Sequence, residues 1–390
     1  MAKISTFDVL IVYSSAIAAS ANSPSFDVLT PFAKGSRFES YNIVYGYFLK
    51  ICEDYKLKAA FTISSDITGA GRCKSYWLFK NNAWIKVKKT GYSKLIFDKF
   101  SPLNKRAKAS RNLLFSSQAV KPFNHPFLFD LFFDKQKTYQ KLYNFSVPTV
   151  TIEGRTRRSI DSAGKTLKEM ISKHPHQNDF SSDIIMKARF GSGGRNIYKF
   201  KAGEYKEMIT SMKRKSRISF IIQPFTEFDK GFSYQNSLVA ADIRLIYLGG
   251  KIIQTYIRMA KAGDFRCNEH QGGSLKYISK NEVPMGVVIK SNKIAKILSK
   301  ACSRRLELNK ECSLFTLDFI ISNNGNIYLL EGNTGPGLDW NLSIRENEIE
   351  AQKLIRIIVK KLVNRQPIRL KANKPMTHDY PMTLTSPVYM

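Results

Sequence analysis

Short apolar runs separated by polar and glycine-rich turns follow one another along this chain, and they predict a mixture of strands and helices. Residues 7–13 have the composition of a buried first strand. The further predicted strands are residues 149–152, 184–187, 197–198 and 219–223, the last of them ended by Pro224. Helical spacing or a capping residue predicts helices at residues 134–142, 159–173, 290–308 and 350–363.

Two pairs of strands have the pattern of hairpins. Residues 243–247 and 252–257 flank the turn Gly249-Gly250, and residues 315–321 and 327–331 flank Asn323-Asn324-Gly325. The second half of the chain is therefore predicted to contain antiparallel sheet.

Composition narrows the class of protein. The chain has 390 residues and is 43% apolar, enough for two or three packed units and too apolar for global disorder. No apolar stretch approaches the roughly 18–20 residues of a membrane span. Residues 7–21 resemble a signal peptide, but Asp8 within the apolar stretch favours a buried strand. Five widely spaced cysteines without a C-x-x-C pair favour a reducing cytoplasm.

Charge points to an anionic partner. The 62 Lys and Arg residues outnumber the 31 Asp and Glu residues, which gives a net charge of +31. Residues 72–111 carry twelve bases and a single acid, Asp98, and residues 353–374 carry eight bases and no acid. Both segments are either solvated basic faces or a surface that recruits a large acidic substrate.

The second predicted hairpin carries candidate metal ligands. Asp318 lies on its first strand, and Glu331 and Asn333 lie at the end of its second strand, on one face by the period of two. Such oxygen ligands suit Mg²⁺, which takes one or two carboxylates together with phosphate oxygens. Acids at strand ends are also common without a metal.

Two other segments offer positive charge. Lys187 ends an apolar strand and is followed by Gly191, Ser192, Gly193 and Gly194. The lysine charge and the backbone N–H groups of the glycine segment could bind a phosphate chain. Alternatively, the segment is only a flexible turn. Arg258, Arg266 and Asn268 follow a strand, where they either stabilise a developing oxyanion or lie on a solvated surface.

Together, in this order, these blocks resemble the ATP-grasp superfamily, and most closely the RimK-type amino-acid ligases, from about residue 134 to residue 341. The most specific blocks are Asp242-Ile243-Arg244 followed by Arg258 and residues 263–273, and residues 330–337. The resemblance implies an α+β ATP-grasp fold in which two α+β subdomains clamp ATP, with an α/β N-terminal domain. The implied divisions are residues 1–126, a lid subdomain at 127–222, a second subdomain at 223–365 and a tail at 366–390.

The resemblance also implies roles for individual residues. Arg258 and Arg266 would be catalytic, and Asp318, Glu331 and Asn333 would hold Mg²⁺ or Mn²⁺. The implied ATP contacts are Lys135, Lys187, Gly191, Ser192, Gly193, Gly194, Gln223, Pro224, Phe225, Asp242, Arg266, Cys267 and Asn268. Gln223 to Phe225 would form the hinge that reads adenine through backbone atoms.

The implied reaction joins a carboxylate to an amine. ATP would phosphorylate the carboxylate, the amine of an amino acid or peptide would attack the acyl phosphate, and ADP and phosphate would be released. Two alternatives remain at this point: an ATP-grasp kinase of an anionic small molecule, and a non-enzymatic basic protein that binds nucleic acid, for which the sequence contains no recognised motif.

Overall fold

The computed structural model describes residues 4–191, 196–269, 272–303, 314–338 and 344–365. Within these ranges, no helix is both long enough and apolar enough to cross a bilayer.

The first section combines a mostly parallel sheet with a smaller one. Its elements are β1 (Ser5–Phe7), β2 (Val9–Tyr13), α1 (Tyr41–Asp54), β3 (Ala59–Ile63), β4 (Ile67–Gly69), β5 (Arg72–Cys73), β6 (Tyr76–Lys80), β7 (Ala83–Val87), β8 (Gly91–Ser93), β9 (Leu95–Lys99), α2 (Lys105–Leu114) and β10 (Lys121–Pro122). The larger sheet has the order β10-β9-β2-β3-β6-β7, in which the first four strands are parallel. The apolar run near the start of the chain is β2, which is buried at every position because it lies inside this sheet.

A second group of elements forms a four-stranded antiparallel sheet. Its elements are α3 (Pro126–Phe133), α4 (Lys135–Leu142), β11 (Val150–Thr151), α5 (Arg157–Ser172), β12 (Phe180–Ala188), β13 (Ile197–Phe200), α6 (Tyr205–Lys213) and β14 (Phe220–Thr226). The sheet order is β11-β14-β12-β13, and α5 and α6 cover one face of it. Helices α3 and α4 contribute instead to the core of the third group.

The third group is built on a five-stranded antiparallel sheet. Its elements are β15 (Phe232–Tyr234), β16 (Ser237–Val239), β17 (Ala241–Leu248), β18 (Lys251–Met259), β19 (Ser274–Tyr277), α7 (Met285–Ser303), β20 (Leu314–Ile321), β21 (Ile327–Asn333) and α8 (Arg345–Asn364). The sheet order is β19-β18-β17-β20-β21. Helix α7 packs on one face of this sheet, and α8 packs against α1 of the first section.

The predicted hairpins and helices are confirmed, with corrections at their ends. The prediction that Pro224 ends its strand is wrong, because β14 continues to Thr226. Proline is tolerated there because β11 pairs only with Ile221 and Ile222, so no described strand on that side needs the missing N–H. Helices α7 and α8 each begin five residues earlier than predicted, at Met285 and Arg345.

Some predictions are not tested by these elements. The boundary predicted between residues 222 and 223 falls within β14, and the domain divisions stay a prediction. Residues 304–308 of the predicted helix, Ser192, Gly193 and Gly194 of the glycine-rich segment, and the tail at 366–390 lie outside the described residues.

Candidate active site

Charged side chains gather on one face of the five-stranded sheet. They are Asp242 and Arg244 of β17, Arg258 of β18, Asp318 of β20 and Glu331 of β21. In β17, Ile243, Leu245 and Tyr247 pack against α7. The alternation of side chains along a strand therefore sends Asp242 and Arg244 to the opposite face.

Strand pairing joins these charges. Arg258 lies opposite Asp242 and donates to it through Nε at 2.7 Å, and its Nη2 also donates to Asp318 at 2.8 Å. Arg244 lies opposite Asp318 and donates to it through Nε at 2.6 Å, while its Nη2 lies 3.8 Å from Glu331. Each of the two arginines thus pairs with two acids, Arg258 with Asp242 and Asp318, and Arg244 with Asp318 and Glu331.

A β-bulge brings Glu331 into this row. Asp318 pairs with Glu331 and Phe319 pairs with Leu329, so Leu330 is an extra residue in β21. Leu329 belongs to the core beneath the sheet together with Phe319. Without the bulge, Glu331 would point to the same side as Leu329, because residues two apart in a strand share a face.

Two lysines lie close to Glu331. Burial, reinforced by the charge of Lys135, lowers the pKa of Lys187 to about 8. Burial also lowers the pKa of Lys135, although Glu331 opposes that effect. Burial alone would raise the pKa of Glu331, but the nearby cations, above all Lys135, lower it to about 2. At neutral pH the carboxylate is therefore ionised and faces two ammonium groups.

The ion pair of Asp134 with Arg189 fixes these two lysines relative to each other. Asp134 caps the N-terminus of α4 by accepting from the backbone N–H groups of Gln136 and Lys137, and both of its oxygens accept from Arg189, at 2.8 and 2.7 Å. Lys135 follows Asp134, and Lys187 precedes Arg189 by two residues. The ammonium of Lys135 in addition donates to the carbonyl of Gly191.

Two cavities meet at Glu331. The larger, about 1420 Å³, reaches Lys135, Lys187 and Gly191 and extends between α2, α3 and the start of β13. The smaller, about 330 Å³, is lined by Arg244, Arg258, Asn268 and Asn333. A reacting group at Glu331 is therefore accessible from two directions.

The structure brings together only part of the predicted set. Lys135 and Lys187 line the larger cavity, Arg258, Asn268 and Asn333 line the smaller, and Gly191 and Glu331 line both. Asp242 and Asp318 are buried behind Arg258.

Other predicted residues lie away from these cavities. Gln223, Pro224 and Phe225 line neither: the side-chain amide of Gln223 donates to Thr149 at 2.7 Å, and Lys199 lies 3.6 Å above the ring of Phe225. Arg266 also lines neither cavity and pairs with Asp264 at 2.7 Å. Cys267 is buried, and burial raises the pKa of its thiol, so it is not a thiolate at neutral pH. The roles predicted for these residues stay predictions.

The donor set around Glu331 fits a hard cation. The side-chain amide of Asn333 donates to Glu331 at 3.1 Å, and both residues line the smaller cavity. Asp318 lies opposite Glu331 on the next strand, but it is buried and its oxygens accept from Arg244 and Arg258. Among the described residues, no three His, Cys, Asp or Glu side chains form a metal centre by themselves. A cation that takes few carboxylates and completes its shell with phosphate oxygens and water suits this arrangement.

Sequence reasoning missed three residues of the site region. Arg244 was not proposed as a site residue, although its spacing of two from Asp242 signals the same strand face. Lys99 was counted only as part of a basic segment, yet its ammonium donates to the carbonyl of Pro336 at 2.7 Å. Asn124 donates to the carbonyl of Thr334 and accepts from the N–H of Leu314 at 2.9 Å. Lys99 and Asn124 tie the first section to residues 331–337, a long-range contact without a local signal.

Comparison with known sequences shows similarity to one family of proteins. The profile of a family described as RimK-like ATP-grasp domain matches residues 154–358. A probable alpha-L-glutamate ligase of Maridesulfovibrio salexigens is 24% identical over 204 residues, which cover 52% of this chain and 60% of the relative. One of Shewanella pealeana is 26% identical over 219 residues, which cover 56% of this chain and 39% of the relative. The chain thus spans 60% or less of the length of both relatives.

Solved structures resemble the fold as a whole. D-cycloserine synthetase DcsG matches with a TM-score of 0.54 at 12% identity, covering 92% of this chain and 100% of that one. D-alanyl-alanine synthetase A from Vibrio cholerae matches with a TM-score of 0.53 at 15% identity, covering 93% of this chain and 100% of that one. At these identities the likeness is one of fold.

Proposed function

Because this chain belongs to the RimK-like ATP-grasp family, we propose that it is an ATP- and metal-dependent ligase that joins a carboxylate to an amine. The reaction proceeds through phosphorylation of the carboxylate, attack of the amine on the acyl phosphate, and release of ADP and phosphate. The relatives are named as probable glutamate ligases, which supports an amino acid as one substrate and makes glutamate the first candidate.

The observation that carries this proposal is the meeting of Lys135, Lys187 and Glu331 at one cavity. A carboxylate and the terminal phosphate of ATP are both anionic, so they approach each other only where positive charge offsets their repulsion. The ammonium groups of Lys135 and Lys187 provide that charge, and the carboxylate of Glu331 offsets their mutual repulsion in the absence of ligand.

Residues 223–225 and Asp242, Arg266, Cys267 and Asn268 are proposed to contact the nucleotide, as the family resemblance implies. Gly191 is the first residue of the glycine-rich segment proposed to cover the phosphates. Its positive φ of 94° is a backbone conformation that glycine adopts readily.

Asp318, Glu331 and Asn333 are proposed to hold the metal ion, Mg²⁺ or Mn²⁺. When bound, the ion supplies Lewis-acid stabilisation of phosphate charge. Arg244 and Arg258 position Asp318 by donating to both of its oxygens. They also prevent the close carboxylates Asp318 and Glu331 from repelling one another.

Arg258 is proposed to stabilise the oxyanion that forms when the amine attacks. It borders the smaller cavity, and its Nη1 donates to Asn268 at 2.8 Å, which directs the guanidinium edge towards that space. Removing such a donor typically lowers the rate on the order of 100- to 1000-fold.

We further propose that the substrate is an acidic amino acid or peptide, which fits the net charge of +31 of the chain. We also propose that the protein acts in the cytoplasm.

The proposal is tested with the purified full chain, ATP and Mg²⁺. Phosphate release is measured with glutamate as the amine and a panel of N-acetylated peptides as carboxylates, and products are identified by mass spectrometry. We expect release that requires both substrates and yields an amide. A phosphorylated product without consumption of the amine would instead identify a kinase. Salt-sensitive binding to random DNA without ATP turnover would identify a nucleic-acid-binding protein.

A further inference from the structure

The larger cavity has an aromatic wall that phosphate and metal binding leave unused. Phe129 and Phe133, four residues apart on α3, stack with ring centroids 5.7 Å apart, and Phe133 stacks on Phe190 at 5.4 Å. The guanidinium of Arg111 covers the other end of this stack, 3.7 Å above the ring of Phe129. The rings form an apolar surface that extends from Phe129 on α3 to Phe190, two residues after the end of β12.

This wall extends away from the hinge proposed for adenine. The cavity begins at Lys135, Lys187 and Glu331 and passes Ser219, just before β14, whereas residues 223–225 further along β14 do not line it. A substrate whose reacting carboxylate lies at Glu331 therefore extends along the rings. The volume of about 1420 Å³ exceeds the roughly 300–1,000 Å³ typical of small-molecule sites, so it accommodates a peptide-sized group.

Positive charge also lines the rim of the same cavity, where Lys108 and Arg217 are exposed and Lys121 is half-buried. Lys108, Lys121 and Arg217 line it, and none of them forms an ion pair with a described carboxylate. Asp130 is an opposing charge on α3. The rim thus has a net positive charge that is available to a ligand.

We propose that this cavity binds the carboxylate substrate of the ligase as a peptide that carries a bulky apolar side chain, packed on Phe129, Phe133 and Phe190, beside an acidic residue that reaches the rim cations. The inference rests on the proposed function and names its carboxylate substrate class. The smaller cavity, which Phe129 and Phe133 also border, is then left for the amine.

The inference is tested by equilibrium binding without ATP. Three N-acetylated dipeptides are titrated calorimetrically into the full chain: Ac-Phe-Glu, Ac-Ala-Glu and Ac-Phe-Gln. Burial of an aromatic ring predicts that Ac-Phe-Glu binds about tenfold more tightly than Ac-Ala-Glu. The exposed rim cations predict a smaller preference, about two- to fivefold, over Ac-Phe-Gln.

Two matched pairs of variants locate the binding. Ser219→Trp fills the cavity, whereas Ser216→Trp makes the same change at an exposed position that does not line it. Only Ser219→Trp is expected to lower the affinity for Ac-Phe-Glu, by about tenfold or more. Arg217→Glu is expected to weaken Ac-Phe-Glu more than Ac-Phe-Gln, whereas Arg214→Glu, also exposed and outside the cavity lining, leaves both unchanged.

Equal affinity for the three peptides, no binding at millimolar concentration, or equal effects of the two tryptophan variants would overturn the inference. These readouts do not depend on turnover. If the peptide preference holds and no amide product forms with ATP, the proposed function fails, and only the peptide preference of the cavity stands.

Discussion

Arg258 and Asp318 are joined by a 2.8 Å hydrogen bond although they lie 60 residues apart in the sequence. The same guanidinium also donates to Asp242, which is buried, and to Asn268, which lines the smaller cavity. A residue expected to act on the reaction is thus also part of the structure that holds the proposed metal ligands.

We predict that Arg258→Met destabilises the fold by about 3–5 kcal/mol, because it leaves the buried Asp242 without its ion-pair partner and leaves Asp318 paired with Arg244 alone. Chemical denaturation of the two proteins measures the difference. Arg266→Met is the control: its pair with Asp264 is partly exposed to solvent, and its loss should cost less than about 1 kcal/mol. Equal losses for the two variants would contradict a buried network around Arg258.

The lowered pKa of Lys187 predicts that nucleotide binding depends on pH. Its pKa of about 8 means that it is charged below pH 8 and becomes neutral above it in the free protein. A phosphate group binds the charged form, so binding above pH 8 requires uptake of a proton, and the affinity for ADP should fall by up to about tenfold per pH unit. Calorimetric titration from pH 6.5 to 9.5 at constant Mg²⁺ measures this.

The control for that prediction is Lys187→Arg. A guanidinium stays charged across the whole range, so the variant should bind ADP with an affinity that does not change above pH 8. The same decline in both proteins would mean that a different group titrates.

Glu331→Gln tests the proposed metal site. The amide keeps the size of the side chain but removes the charge that faces Lys135 and Lys187, so we expect turnover to fall on the order of 100-fold and the Mg²⁺ requirement to rise. Phosphate release as a function of Mg²⁺ concentration measures both effects. Glu282→Gln, at the surface capping box before α7, should retain normal turnover. An unchanged Mg²⁺ dependence in Glu331→Gln would remove Glu331 from the metal site.

Gly332 separates Glu331 from Asn333 and has no room for a side chain. A Cβ at this position would lie 2.2 Å from the buried ring of Phe132 on α3. We therefore expect Gly332→Ala to cost about 1–3 kcal/mol, since either the ring or β21 must move. Gly164→Ala in α5 meets nothing within 4 Å and should instead stabilise the protein by about 0.4–1 kcal/mol. Thermal denaturation distinguishes the two, and a stable Gly332→Ala would show that α3 does not press on this strand.

Local patterns accounted for much of the fold. Alternation and turn residues predicted both hairpins of the five-stranded sheet, and Asp134 as a capping residue predicted α4. The bulge at Leu330 was not predictable, because the extra residue is decided by pairing with β20 and leaves no mark in the sequence of β21. The position of Pro224 inside β14 likewise depends on where the neighbouring strand β11 begins, since its first residue, Val150, pairs with Ile222.

For the candidate site, the residue types were predicted better than their contacts. The resemblance selected Lys135, Lys187 and Glu331, which the structure places around one cavity. The contacts of Lys99 with Pro336 and of Asn124 with Thr334 span more than 200 residues, and no spacing rule connects such positions. The predicted basic segment 72–111 also included Arg111, whose ion pair with Asp98 and position over Phe129 make it part of the cavity wall.

The packing of α8 on α1 has a consequence for exchanging parts of this protein. Leu354, Ile355 and Ile358 of the last described helix share a core with Phe48 of α1, and Arg356 donates to Tyr47 at 2.8 Å. A fragment that stopped at residue 126 would present that apolar face of α1 to water. In a chimera between homologues, the first section and α8 therefore have to be transferred together, even though more than 200 residues separate them in the sequence.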